Sequence, residues 1–269
     1  MAKTSRSKPP AEAPAGRLGA QLYTVRQFTQ TIEGVAETLR KVADIGYTAV
    51  QISAFGPVDW GEVAHLVRDT GLTVAATHTK WDRFLTDLDA VIAEHEMLGC
   101  RHPAIGGLPE AYRAPGGIKR FVEELTPVAA KLAAAGMDFS YHNHNLELAR
   151  LGGEKPWLAE LYDTVPAELL KAEIDTYWIV AGGGDPVWWI NRCAGRQPLL
   201  HLKDMLITPQ REIRMAEIGE GNLNWPAILR AAEAGGVEHY LVEQDTCYGR
   251  DPFESLAISY RNLRAMGLR

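Results

Sequence analysis

One pattern recurs along the chain from Leu18 onward. A short apolar run is followed by a longer segment with apolar residues at helical spacing, and a glycine often closes it. Leu18 to Leu22 precedes Thr31 to Ile45, where Ile32, Val35, Ala36, Leu39, Val42 and Ala43 share one helical face before Gly46. Tyr47 to Ile52 is β-branched and apolar, and Asp59 to Asp69 is amphipathic up to Gly71. The same unit recurs as Leu72 to Ala76 with Phe84 to Leu98, and as Arg101 to Ile105 with Gly117 to Ala135. Met137 to Tyr141 then pairs with Lys155 to Tyr162, and Leu170 to Ile174 with Pro186 to Cys193. Leu199 to Leu202 precedes Asn224 to Ala234, which has an Asn N-cap and Pro226 in its first turn. His239 to Val242 leads into Pro252 to Met266.

Strict alternation of strand and helix means right-handed crossovers and a parallel sheet. Eight such units, in a domain of the ~250 residues typical of the closed form, point to an α/β fold, a single (β/α)8 TIM barrel. An open doubly wound sheet would want a glycine-rich phosphate loop after the first strand. Gln21-Leu22-Tyr23-Thr24-Val25 stands there instead. The barrel is expected over residues 18–269. Residues 1–17, rich in Lys, Ser, Pro and Ala and without an apolar core, are expected to be a disordered leader.

A barrel of this kind carries its chemistry at the C-terminal ends of the strands. Those ends read Gln21, Gln51, His78, then His142, His144 and Glu147, then Asp175, then His201 and Lys203, then Glu243, Gln244 and Asp245. Stability alone does not explain apolar strands that end in amides, imidazoles and carboxylates, because buried polar groups cost free energy unless paired. A carboxylate from the fifth-strand region, with Asp175, His201 and Glu243, gives three carboxylates and one imidazole. That set suits one divalent ion, Mn2+ first, with Mg2+, Co2+ or Zn2+ as alternatives. Each residue also has a plainer reading: Asp175 as a helix or turn cap, His201 and His78 as hydrogen-bonded core histidines, Glu243 as half of a surface ion pair. His65, His95, His102 and His239 lie on helices or strand starts and read as structural or solvated.

The formal net charge of -6 argues against nucleic acid or an anionic membrane as partner. No apolar run reaches the ~18 residues of a membrane span. Cys100, Cys193 and Cys247 form no CxxC pattern and read as reduced thiols in a cytoplasmic protein. A small-molecule substrate is the expected partner, and a homo-oligomer is left open.

The ordered set Tyr141-His142-Asn143-His144-x-x-Glu147, Ile174-Asp175-x-x-Trp178, His201-Leu202-Lys203-Asp204, Ile218-Gly219-Glu220-Gly221-x-x-x-Trp225 and Val242-Glu243 resembles the sugar isomerase/epimerase superfamily with the xylose-isomerase-like barrel. The resemblance covers nearly all of the chain after Arg17. It implies a Glu, Asp, His, Glu quartet on a divalent metal, with the last three at Asp175, His201 and Glu243. Many members hold the first Glu at the place of His142. Glu147 is taken as the ligand here, with His142 or His144 as the alternative. The implied chemistry is proton transfer beside a carbonyl through a metal-stabilised enediolate, with Glu147 and Glu243 as base and acid. His144 could replace Glu147 in that role, and Lys203 could stabilise developing negative charge. His78, His142, Gln21, Gln51 and Trp178 would contact the sugar, and Trp81 could pack against it. The competing reaction on the same fold is elimination of a β-substituent from a 3-keto-glucoside or inosose, making the chain a lyase or dehydratase. A remote alternative is an abasic-site endonuclease.

Overall fold

The computed structural model describes residues 17–268. Eight parallel strands form the barrel: β1 (Arg17–Gln21), β2 (Ala49–Ile52), β3 (Thr73–His78), β4 (Pro103–Ile105), β5 (Ser140–His142), β6 (Lys171–Asp175), β7 (Leu199–Leu202) and, after a two-stranded excursion, β10 (His239–Val242). The sheet closes in the order β1-β10-β7-β6-β5-β4-β3-β2. Arg17 opens β1, so the barrel starts one residue inside the expected leader. The remaining leader residues lie outside the described range.

The helices form where the apolar spacing predicts them, and their ends have local causes. Thr31 accepts a hydrogen bond from Gly34 N to cap Ile32–Ile45, and Gly46, at φ 117°, closes that helix in the left-handed region. The segment expected as one helix from Phe84 to Leu98 is two, Trp81–Thr86 and Leu88–Leu98. They meet at Asp87, whose φ of -146° and ψ of 38° are not helical.

Two further elements are additional to the expected alternation. A short helix, Thr176–Ala181, follows β6 directly. An antiparallel hairpin, β8 (Asp204–Ile207) with β9 (Ile213–Ala216), follows β7 where only a loop was expected. Asp204 fixes this excursion. Its carboxylate accepts from Met205 N, Gly219 N, Gly221 N, Leu223 N and Trp225 Nε1. That explains the Gly-Glu-Gly-x-x-x-Trp spacing: Gly219 holds a φ of 87°, and a Cβ on Gly221 would collide with the Asp204 carboxylate.

Strand parity sorts the side chains. Val50, Leu200, Leu202, Tyr240 and Val242 face outward into the main core under the helices. Their alternates Ala49, Leu199 and Leu241 join Ala75 and Ala76 in a separate apolar cluster inside the barrel. That layer floors the upper half of the barrel, and most side chains above it on the same parity are polar.

Candidate active site

The polar layer begins with Gln21, Gln51, His78, His142, Glu173, Asp175, His201 and Glu243, each on the inward parity of its strand. Gln21 Nε2 donates to Gln51 Oε1 at 3.0 Å, and Gln51 Nε2 donates to Glu173 Oε1 at 2.8 Å. His78 Nε2 lies 2.9 Å from Glu173 Oε2. His201 Nε2 lies 2.6 Å from Gln51 Oε1 and 3.2 Å from Glu173 Oε1. Its other nitrogen, Nδ1, lies 2.9 Å from Glu243 Oε2 and 3.8 Å from Asp175 Oδ2. Gln21 and Gln51, expected to face substrate, are fully buried and spend their amides within the chain. They and Glu173 lock the His201 ring from below, as outer partners of ligand histidines commonly do.

Four ligand atoms, one each from His142, Asp175, His201 and Glu243, lie within 4.8 Å of one another. Asp175 has two jobs. Its Oδ1 accepts from Trp178 N at 2.8 Å and caps Thr176–Ala181, so the plainer cap reading holds. Its Oδ2 is buried and takes no hydrogen bond among the described residues, pairing with the Lys203 ammonium at 3.2 Å, and His142 Nδ1 is buried with no partner among them. His142 thus brings to the cluster a ligand atom with no partner, which is costly unless something binds it. This donor set fits a divalent cation.

Glu147 stands elsewhere. Its Oε1 accepts from Leu108 N at 3.0 Å and Tyr141 OH at 2.9 Å, and its Oε2 accepts from His144 N at 3.0 Å. The carboxylate ties the end of β5 to the loop after β4, and His142 occupies the place in the cluster expected for it. The first asparagine of the motif is also committed, since Asn143 Oδ1 accepts from Asp175 N at 3.1 Å. His144 turns its ring toward Trp178, with centroids 5.0 Å apart.

Lys203 places a buried ammonium at the site. Its Nζ lies 2.9 Å from Glu243 Oε2, 2.9 Å from Asp245 Oδ1 and 3.2 Å from Asp175 Oδ2, with the Trp178 ring centroid 5.4 Å away. Burial would strip its proton, but the three carboxylates more than reverse this and raise its pKa. His201 behaves alike: burial opposes protonation, yet Glu173 and Glu243 push its pKa up to about 10. Burial would raise Glu173, but His201 and His78 hold it at about 2. The negative field that keeps a proton on His201 is the field a metal cation would replace it in. His142 and His144 are driven the other way, chiefly by burial and then by neighbouring cations, His144 to about 4. Both are neutral imidazoles near neutral pH.

Above the cluster opens a cavity of about 970 Å³. His78, His142, His144, Glu243 and Asp245 form its polar end, and aromatic residues including Phe55, Trp60 and Trp81 line it. Trp81 is buried and donates its Nε1–H to Tyr112 OH at 2.8 Å, so it packs the wall.

The sequence model of the xylose isomerase-like TIM barrel family matches residues 39–259. The chain belongs to that family. A sugar phosphate isomerase/epimerase from Parabacteroides distasonis superposes with a TM-score of 0.78 at 25% identity, covering 98% of each chain. An L-ribulose 3-epimerase superposes at 0.72 with 20% identity over 94% of each chain. A D-allulose 3-epimerase from Methylomonas sp. superposes at 0.66 with 14% identity, over 94% of this chain and 99% of its own. No match is found among the curated proteins. Among the described residues, no helix is long and apolar enough to cross a membrane.

Sequence reasoning within this family missed Glu173. Its signal was present: an acid two residues before Asp175 in the otherwise apolar Ala172–Ile174 stretch shares the inward face of β6.

Proposed function

We propose that the chain is a divalent-metal-dependent sugar or keto-sugar isomerase/epimerase that moves a proton on the carbon beside a carbonyl. The observation that carries this reading is the convergence of His142, Asp175, His201 and Glu243 below the cavity, with the buried His142 Nδ1 unpartnered among the described residues. In this proposal these four hold the ion, and Glu147 positions the motif. Two imidazoles with two carboxylates suit Mn2+, Co2+ or Zn2+ better than Mg2+. Such an ion, when bound, polarises a substrate carbonyl and acidifies the neighbouring C–H.

The rest of the chemistry falls to the chain. Inversion at carbon needs one group on each face of the sugar that can take or give a proton. Glu243 spends Oε2 on His201 and Lys203, while its Oε1 takes no hydrogen bond among the described residues and is offered for that exchange. His144, neutral and with no ring hydrogen bond among the described residues, is the candidate for the opposite face. Lys203 keeps a fixed positive charge beside Glu243 and offsets negative charge as it develops. Trp178 backs both His144 and Lys203 and keeps water from them.

The reading is tested by incubating a panel of ketoses and keto-sugars in D2O with Mn2+ and following deuterium at the carbon beside the carbonyl. Exchange with an isomeric product is expected on at least one substrate and should vanish in Glu243→Gln. No exchange across the panel would sink it.

A second reading, elimination from a keto-glycoside, is favoured by the size of the cavity. At about 970 Å³ it stands near the top of the ~300–1,000 Å³ usual for ligand pockets and has room for a sugar with its aglycone. A 3-keto-glucoside discriminates the two: released aglycone means elimination, and an isomeric glycoside means epimerisation.

A further inference from the structure

The opposite mouth of the barrel holds a second constellation that the proposed chemistry does not use. His102 immediately precedes β4, and Glu238 and His239 stand at the start of β10. In the closed strand order three strands separate β4 from β10 in either direction, so the two histidines meet across the barrel axis. They lie under the Ala49, Leu199 and Leu241 layer that floors the catalytic half. Their ring centroids are 6.0 Å apart.

His102 is 4% exposed and His239 is 8% exposed, yet the Nδ1 atom of each lacks any hydrogen-bond partner among the described residues. A buried imidazole nitrogen without a partner is unusual, because it gives up water and receives nothing. Each of the two rings thus carries a buried nitrogen that calls for an occupant. One ligand atom from each histidine and one carboxylate oxygen of Glu238 lie within 4.8 Å of one another. Glu238 is exposed, so the cluster opens to solvent and an ion can enter. Asp138 Oδ2 is 3.9 Å from His102 Nδ1, but Arg101 already holds that oxygen at 3.0 Å.

We propose that His102, Glu238 and His239 form a second metal site, for a borderline divalent cation of the Zn2+ type, at the N-terminal mouth of the barrel. Two imidazoles and a carboxylate are a common zinc donor set, and three protein ligands leave a position for water. Burial lowers the pKa of both histidines, that of His239 to about 4, so both rings are unprotonated near neutral pH. An ion there would join β4 to β10 across the axis and brace the barrel below the catalytic layer.

The test titrates Zn2+ into the chelator-treated full chain, reading bound metal per chain by mass spectrometry and the melting temperature. Two ions per chain are expected. Glu238→Gln, an exposed change that leaves the fold intact, should weaken one of them at least tenfold, and His102→Gln should do the same. His201→Ala should remove the other ion and leave this one. If the wild-type chain binds one ion and Glu238→Gln abolishes it, this inference stands and the catalytic metal reading fails. Zn2+ stoichiometry and affinity that are unchanged by both Glu238→Gln and His102→Gln overturn it.

Discussion

Glu147→Gln separates the two roles open to the fifth-strand motif, metal ligand or structural clamp. The wild-type carboxylate accepts three hydrogen bonds, two at Oε1 and one at Oε2. Glutamine best keeps its oxygen toward Leu108 N and Tyr141 OH, which turns its amide N–H against His144 N–H. One buried donor is then orphaned, at a cost of about 1–3 kcal/mol, and the two surviving bonds lose their charge assistance. Against this, burial raises the Glu147 pKa despite its hydrogen bonds, so removing the charge recovers part of the loss. The net is about 2 kcal/mol of stability lost, or a melting temperature lower by about 4–8 °C for a chain of this size. Bound Mn2+ per chain, measured after equilibrium dialysis, should stay at the wild-type value, because Glu147 is outside the cluster. His142→Ala should show the converse, with metal lost and a smaller change in melting. A Glu147→Gln protein that melts like wild type but no longer retains metal would refute the reasoning and restore Glu147 as the ligand.

His201→Ala should abolish tight metal retention in the catalytic cluster with the barrel preserved by circular dichroism; full metal content with full activity would remove the quartet. Lys203→Met leaves Asp175, Glu243 and Asp245 facing one another without their cation, so the chelated protein should lose about 3–5 kcal/mol in urea unfolding. Added Mn2+ should restore part of that loss, and a chelated variant as stable as wild type counts against the charge argument. Asp204→Ala removes the acceptor of five donors and should cost at least about 3 kcal/mol, with protease cleavage appearing between Met205 and Leu223. His95 gives a pH dependence. Its Nδ1–H donates to Val91 O and its Nε2 accepts from Thr77 OH, each at 2.7 Å, and burial lowers its pKa. The fold therefore holds it neutral while the unfolded chain protonates it below about 6.5. Its contribution is intact above that pH and is lost as pH falls toward its depressed folded value, by up to about 1.4 kcal/mol per unit. His95→Gln should flatten the stability profile between pH 6.5 and 5, and an unchanged slope would refute the assignment.

The barrel was legible because its signal is repeated. Each amphipathic segment carries its own apolar spacing, and each short apolar run needs cover on both faces, so errors at single boundaries did not alter the topology. The misses had local causes. Asp87 breaks the third helical segment with a backbone conformation that no spacing rule marks. The β8–β9 hairpin depends on a carboxylate, Asp204, gathering donors from residues up to twenty-one positions away. Such a contact has no period to read. Thr176–Ala181 follows β6 without a loop because Asp175 serves as strand end and N-cap at once, so one residue hides two element boundaries.

At the site, parity explains both what was legible and what was not. On or just past the ends of β6, β7 and β10, neighbours in the sheet, functional residues come in pairs two apart: Glu173 and Asp175, His201 and Lys203, Glu243 and Asp245. The lower level, with the outer oxygens of the upper, builds the cation cluster, while Lys203 and Asp245 reach it from above. A charged pair at that spacing on adjacent barrel strands cannot be a solvated face, because both members point into the barrel. Glu147 breaks the rule: it lies five residues beyond His142, past the strand end and on a 3-10 turn, where parity no longer holds. His142 keeps it, on the inward face of β5 and beside His201 at 4.3 Å between ring centroids. Strand phase thus favours His142 over Glu147 for the proposed ion, once phase is weighed above the chemical appeal of a carboxylate.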